Sequence, residues 1–254
     1  MKDIITDLLW KEMKKVIPEK RGGVGRPEFD NRKAVNGILF ILKTGAQWDA
    51  LPEKYGCRST VHGKFMKWCA MGIFKKIMSI ARLYYLRRNK GNIWYAFDTR
   101  SAKAPFANFS GKNPTDRGKR GIKHSILVDR KGAPLFASVG PANQYDSKTF
   151  IPVVKNLRKS KKTRIIAGDS AFDVQELRAY CKEKNIALIA SPNPRRKKDK
   201  HTFNVPHRYV AEQNFGCLVW FRNIKICWNK TIQSATAFLE LACSLRLFKM
   251  AGIS

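Results

Sequence analysis

The spacing of apolar residues changes partway along the chain, and this change constrains the fold more than any other feature of the sequence. In the first part, apolar residues recur at helical intervals, as they do in residues 31–44. In the second part, short apolar runs such as IWYAF at 93–97 and RIIAG at 164–168 alternate with segments of helical spacing. This order predicts an all-α domain over residues 1–90 and an α/β domain with a mixed sheet over residues 91–254.

The chain carries far more positive charge than solubility requires. Lys and Arg number 50 against 19 Asp and Glu, which gives a formal net charge of +31, whereas a surface adapted for solubility holds roughly 2 to 8. The excess favours a polyanionic partner, and nucleic acid in the first place. A membrane surface is the competing polyanion, but no apolar run approaches the roughly 20 residues of a spanning helix. The amino terminus also lacks the apolar core of a signal peptide, so we expect a cytoplasmic protein without a membrane partner.

Two consecutive amphipathic helices are predicted in the first domain. The first covers residues 31–44 and ends at Gly45, and the second begins at a cap formed by Ser59 or Thr60 and ends at Gly72. Two helices joined by a compact turn resemble a helix-turn-helix module, although any small helical bundle gives the same pattern. The candidate DNA contacts on or beside the second helix are Arg58, Lys64 and Lys67.

Three carboxylates are candidates for chemistry. Asp98 and Asp169 are each the first polar residue after a continuous apolar strand, and ligands of α/β sheets bind outside the carboxyl ends of strands. The alternative for each is a helix cap or a turn. Glu212 lies on a predicted helix, one turn after Arg208, which could contact DNA or orient the carboxylate.

Convergence of these carboxylates predicts a bound metal. Three negative charges in one cleft repel each other unless a cation neutralises them, and Mg²⁺ prefers oxygen ligands of this kind. Two Mg²⁺ ions, which Mn²⁺ can replace, would activate water or a 3′-hydroxyl and stabilise the departing oxygen at a phosphodiester. A zinc site is not expected, because the six cysteines form no C-x-x-C pair and the chain has four histidines.

At these residues the chain resembles bacterial insertion-sequence transposases of the DDE class, near insertion-sequence families four and five. The resemblance covers nearly the whole chain. Residues 32–56 and 59–74 are similar to the helical DNA-binding region of that group, the block 116–147 matches its central signature, and GDSAFD at 168–173 resembles the segment around its second catalytic aspartate.

The resemblance implies that Asp98, Asp169 and Glu212 are the catalytic and metal-binding residues of an RNase H-like domain without a large insertion. It also implies that residues 1–90 bind the terminal inverted repeats, and that the enzyme cleaves the ends and joins their 3′-hydroxyls to target DNA. A homodimer on DNA and a location at the bacterial nucleoid are expected. A non-catalytic DNA-binding regulator and a metal-dependent nuclease of the same fold are the alternatives.

Further cations are candidate DNA contacts, because phosphate binding uses such side chains without precise placement. Two positions depart from the family pattern. Val205 stands where a tyrosine is frequent, and Val219 stands where a lysine is usual; the nearby Arg222 could take the place of that lysine. The remaining acidic residues in the matching blocks, Asp116, Asp129, Asp146 and Asp173, are predicted to be structural, as turn formers or helix caps. The further candidate contacts are Lys119, Arg120, Lys123, His124, Arg208 and Arg222.

Overall fold

The computed structural model describes residues 4–19, 28–157, 160–192 and 205–253. The chain divides into two compact units, of which the helical unit comprises Met1–Arg88, Phe106–Asn108 and Val219–Ser254. The sheet unit comprises Asn89–Pro105 and Phe109–Leu218.

The helices and strands follow each other in the order predicted, helices first and then an alternation of strands and helices. In chain order they are α1 (Asp7–Lys14), α2 (Asn31–Thr44), α3 (Arg58–Ala70), α4 (Ile73–Arg88), β1 (Trp94–Lys103), β2 (Gly111–Lys112), β3 (Arg120–Asp129), β4 (Pro134–Pro141), α5 (Asp146–Val154), β5 (Arg164–Gly168), α6 (Gln175–Glu183), β6 (Ile186–Ala190), α7 (Tyr209–Leu218), α8 (Arg222–Lys225) and α9 (Ile232–Met250). Within the described ranges, no helix is long and apolar enough to cross a membrane.

Local capping explains the bounds of α2. The Asp30 carboxylate accepts hydrogen bonds from the backbone N–H groups of Arg32, at 2.7 Å, and Lys33, at 3.4 Å, which satisfies donors that the first turn leaves without partners. Gly45 ends the helix in the left-handed conformation, with φ of 66°. The predicted bounds of this helix are confirmed.

The predicted cap of α3 is wrong. The helix begins at Arg58, because the carbonyl of Cys57 accepts the first helical hydrogen bonds from the N–H groups of Thr60 and Val61, both at 3.1 Å. Ser59 and Thr60 therefore lie inside the helix, and no side chain caps it.

The core of the helical unit depends on α9. This helix of 19 residues buries side chains on nearly all sides and packs against α3 and α4. The rings of Phe65 and Phe238 stack with centroids 4.6 Å apart, and those of Tyr84 and Phe248 are 6.4 Å apart. Residues 219–254 thus group with the amino-terminal helices, whereas the prediction placed them in the α/β domain, because α9 finds its apolar partners on α3 and α4.

The sheet unit contains a six-stranded mixed sheet in the order β2-β3-β1-β5-β6, with β4 paired to β3. Strands β1, β3 and β4 are antiparallel neighbours, whereas β1, β5 and β6 run parallel. Helices flank the sheet, with α5 and α7 packed against its strands. This central β1, with an antiparallel meander on one side and parallel strands on the other, is the arrangement expected of an RNase H-like fold, and the predicted fold class is confirmed.

Candidate active site

Asp98 and Asp169 lie at the same level of neighbouring strands. The parallel pairing of β1 with β5 ends at Ala96 and Ala167, and each aspartate follows two residues later. Asp169 follows the last residue of β5 directly, and its negative charge acts on Asp98, so the two carboxylates lie close enough to interact. The Asp98 carboxylate accepts from Thr99 N–H at 2.8 Å, and the Asp169 carboxylate accepts from Ala171 N–H at 2.7 Å.

Asp98 lies in the middle of its strand, which corrects the prediction that the strand ends there. β1 continues to Lys103 because its second half pairs with β3, from Asp98 opposite Ile126 to Lys103 opposite Gly121. Asp98 therefore marks the point at which β1 loses its parallel neighbour and keeps its antiparallel one.

Glu212 lies on α7, which packs against β1 and β3. The helix buries Val210, Phe215 and other apolar residues, while 52% of the Glu212 side chain is exposed. Its carboxylate accepts from Arg208, one turn earlier, with 2.8 Å between Nη2 and Oε1. The predicted contact between these two residues is present.

Electrostatics couple the three carboxylates. The pKa of Asp98 is raised to about 6, chiefly by burial and in smaller part by the negative charges of Asp169 and Glu212. The Thr99 N–H and the positive charge of Arg208 act in the opposite direction. Asp98 is thus a partly buried carboxylate whose ionised form a nearby cation would stabilise.

The donor set has the oxygen chemistry that Mg²⁺ prefers. In the part of the chain that the structure describes, no three His, Cys, Asp or Glu side chains are grouped closely enough to hold a metal ion. Arg208 supplies the positive charge beside Glu212 instead. The residues therefore fit a divalent ion by their chemistry, and Glu212 would exchange its ion pair for the metal.

An ion pair between buried Lys123 and half-buried Asp146 lies behind Asp98, on the opposite face of the sheet. Lys123 Nζ donates to Asp146 Oδ1 at 2.5 Å and to the Gln144 carbonyl at 2.6 Å. Asp146 Oδ1 also accepts from Thr99 Oγ1 at 2.8 Å, and the N–H of Thr99 holds Asp98. Lys123 is only 8% exposed, so its predicted contact with DNA is wrong.

Asp146 was predicted to be a helix cap, and the structure gives it a different place. The cap position of α5 is Tyr145, without a side-chain hydrogen bond, and Asp146 occupies the first turn. Sequence reasoning missed its link to Asp98. The available signal was its position inside the block 116–147, which matches the family signature.

His124 is also buried, which contradicts its predicted role as a DNA contact. It pairs with Arg100 across β1 and β3 and is 3% exposed. The pKa of His124 is lowered to about 4, chiefly by burial and in smaller part by the charge of Arg100. Lys119 and Arg120, at the start of β3, are exposed, and Arg120 Nε donates to Ser110 Oγ at 2.8 Å.

The predicted DNA-contacting cations of the helical unit differ in solvent exposure and in the contacts that they already make. Arg58, Lys67 and Arg222 are exposed, and Arg58 forms an ion pair with Asp49. Lys64 is largely covered, because its Nζ lies 2.7 Å from Glu28 Oε1 and 2.6 Å from Asn31 Oδ1. The Lys64 ammonium is therefore already bound by Glu28 and Asn31 within the helical unit.

Two family models match the chain. Residues 5–78 match the model described as "Putative transposase of IS4/5 family", and residues 91–247 match the model described as "Transposase DDE domain".

Individual relatives include two proteins of Burkholderia cepacia. The "Putative transposase for insertion sequence element IS402" is 28% identical over 145 residues, which are 54% of this chain and 67% of that protein. The "Insertion element IS402 uncharacterized 16.2 kDa protein" is 37% identical over 82 residues, which are 30% of this chain and 56% of that protein.

Similar solved structures include two transposase complexes. The piggyBac transposase synaptic complex with hairpin DNA is similar with a TM-score of 0.47 and 10% identity, over 98% of this chain and 73% of that one. The Mos1 transposase paired-end complex gives a TM-score of 0.31 and 11% identity, over 92% and 81%.

Proposed function

The chain belongs to the transposase DDE domain family, and from this premise we propose that it cleaves the ends of an insertion sequence and joins their 3′-hydroxyls to target DNA. The observation that carries the proposal is the placement of the two aspartates. Asp98 and Asp169 follow the parallel-paired residues of neighbouring strands at one level, and the charges of Asp169 and Glu212 both act on Asp98. Three interacting carboxylates in a chain of net charge +31 suit a metal-assisted reaction on a polyanion.

In the proposed reaction, a water oxygen bonds to phosphorus and the bond from phosphorus to the 3′ oxygen breaks. One water proton ends on the 3′ oxygen, which leaves a 3′-hydroxyl and a 5′-phosphate. In strand transfer the 3′-hydroxyl takes the place of water and attacks a phosphodiester of the target.

Asp98, Asp169 and Glu212 would hold two Mg²⁺ ions, or Mn²⁺ in their place. The chemistry supplied by the bound metal is activation of the attacking oxygen and stabilisation of the departing one. The backbone N–H groups of Thr99 and Ala171 fix the orientation of the two aspartates, each through one hydrogen bond. Arg208 holds Glu212 before the ion binds, and its guanidinium is then free to contact a phosphate.

DNA would bind through exposed cations of both units. Lys119, Arg120, Arg58 and Lys67 are the accessible candidates. Such contacts release counterions, so affinity should fall steeply with salt. Because two ends must be cleaved and joined together, we propose a homodimer on DNA.

The test is a reaction of the purified protein with a labelled element end and a target plasmid, with Mg²⁺ or with a chelator. Asp98→Asn, Asp169→Asn and Glu212→Gln keep the side-chain shape and remove the charge. Each should reduce cleavage by at least about a hundredfold, while end binding without metal changes only about twofold or less.

Asp116→Asn is the matched control, because Asp116 is a carboxylate in the sheet unit outside the proposed triad. It should cleave like the unchanged protein. Mg²⁺-dependent cleavage that survives in any of the three triad variants would contradict the assignment of that residue. Binding without cleavage by the unchanged protein would favour a DNA-binding regulator, and cleavage without joining would favour a nuclease.

A further inference from the structure

A groove of about 670 Å³ lies within the helical unit, apart from the carboxylates. One wall is the outer face of α3, and the other consists of residues 228–231 and the first turn of α9. The wall on α3 contains Ser59, His62, Gly63 and Met66, which recur at helical spacing on one face. The volume is within the range of roughly 300 to 1,000 Å³ of small-molecule sites, and a DNA duplex is far too wide for it.

Gly63 leaves space in this groove that packing does not explain. It lies in the middle of α3, where glycine is among the poorest helix formers. A Cβ atom added at Gly63 would meet no protein atom within 4 Å, so no close approach of another segment requires the glycine. A larger side chain at this position would extend into the groove.

Aromatic rings line the groove and its edge. Trp48 lies 4.9 Å from the His62 ring and 5.3 Å from the Phe65 ring, by centroids. Trp228 lines the groove with 36% of its surface exposed, and its ring lies 5.7 Å from that of Phe106, which is 56% exposed. Two large rings exposed together mark a surface suited to an apolar, planar ligand.

Charge favours an anionic ligand in the groove, and a backbone hydrogen bond links the two segments that bear the exposed rings. Asn108 N–H donates to the Lys230 carbonyl at 2.9 Å, which ties the segment bearing Phe106 to the segment bearing Trp228. Arg58 and Lys230 line the groove together with one acidic residue, Asp49, which forms an ion pair with Arg58, so the lining keeps an excess of positive charge. Partial burial, and secondarily the charge of Arg58, lowers the pKa of His62, whose ring lies beside that of Trp48.

We propose that this groove binds one unpaired nucleotide of DNA, with its base stacked on Trp228 or Trp48 and its phosphate near Arg58 and Lys230. Planar bases stack on aromatic side chains without regard to sequence, and cations beside the rings bind the backbone. The inference rests on the proposed function only in taking DNA as the ligand. Cleavage at the carboxylates is a separate property.

The test measures binding of fluorescently labelled decathymidylate and of a ten-base-pair duplex by anisotropy, without divalent metal. Trp228→Ala removes a stacking surface, and Gly63→Leu fills the groove while it strengthens the helix. Trp220→Ala is the matched control, because Trp220 is 83% exposed in the same unit and does not line the groove.

The two groove variants should each bind decathymidylate roughly 5- to 150-fold more weakly, as loss of one base stack predicts. Their duplex affinity, and the affinity of Trp220→Ala for both probes, should change less than about twofold. Unchanged binding of decathymidylate by both groove variants, or an equal loss on the duplex, would overturn the proposal. The assay measures binding without metal and without cleavage, so its outcome stays separate from that of the cleavage test at the carboxylates.

Discussion

Glu240 is the acidic group whose pH-dependent contribution to stability is most open to measurement. It lies on α9, where it is half-buried, and this desolvation raises its pKa to about 7, although Lys75 lowers it in part. Glu240→Gln keeps the shape of the side chain and removes its ability to ionise. The substitution therefore isolates the effect of ionisation at this position on the free energy of unfolding.

The magnitude follows from the pKa values of the two states. The pKa is about 7 in the folded protein and 4.5 for the free side chain, so the folded state binds the proton more tightly. The stabilisation is fully present below pH 4.5 and is lost as the pH rises through 7. Between pH 5 and pH 8.5 the free energy of unfolding should fall by roughly 2 to 3 kcal/mol on account of Glu240 alone.

The assay is urea denaturation of the unchanged protein and of Glu240→Gln at several pH values in this range. The difference in unfolding free energy should shift in favour of the variant by roughly 2 to 3 kcal/mol from pH 5 to pH 8.5. Other titrating groups, such as Asp98 and His124, are common to both proteins and cancel. Glu176→Gln, at an exposed site on α6, should show no such trend. Parallel pH dependence of Glu240→Gln and the unchanged protein would refute the reasoning.

Three substitutions test local features of the fold by denaturation. Asp146→Asn leaves the buried Lys123 ammonium with the Gln144 carbonyl but without its charged partner and should cost about 1.5 to 3 kcal/mol, much of it restored by adding Lys123→Met. Asp30→Ala removes the cap of α2 and should cost about 1 kcal/mol, whereas Asp30→Asn should cost only a fraction of that. Gly56→Ala meets a φ of 99° and a Phe29 ring atom 2.3 Å from the new Cβ, so it should destabilise the protein by more than about 1 kcal/mol.

Features of the fold that depend on nearby residues could be predicted from the sequence. The bounds of α2 follow from Asp30 and Gly45, which act on the adjacent turns. The length of β1 could not be predicted, because its polar second half is a strand only through its pairing with β3. The place of α9 likewise depends on distant helices that no local pattern identifies.

The candidate site also combines features that nearby residues determine with features that distant contacts determine. The apolar runs before Asp98 and Asp169 predict two strands, and these strands are neighbours in the sheet. The roles of Lys123 and His124 were predicted wrongly, because basic residues in a basic chain suggest a surface, whereas β3 is buried on both faces from Gly121 to Asp129. Only the tertiary structure shows which cations are covered.

The discontinuous helical unit has a consequence for synthesis on the ribosome. α3 and α4 emerge early, but the helix that covers their apolar residues, α9, is translated after the whole sheet unit. At roughly 5 to 20 residues per second, the first helices wait roughly 10 to 30 s for the last one. The unit that begins the chain is thus the later of the two to complete its core, and its nascent helices present apolar surface to chaperones throughout that interval.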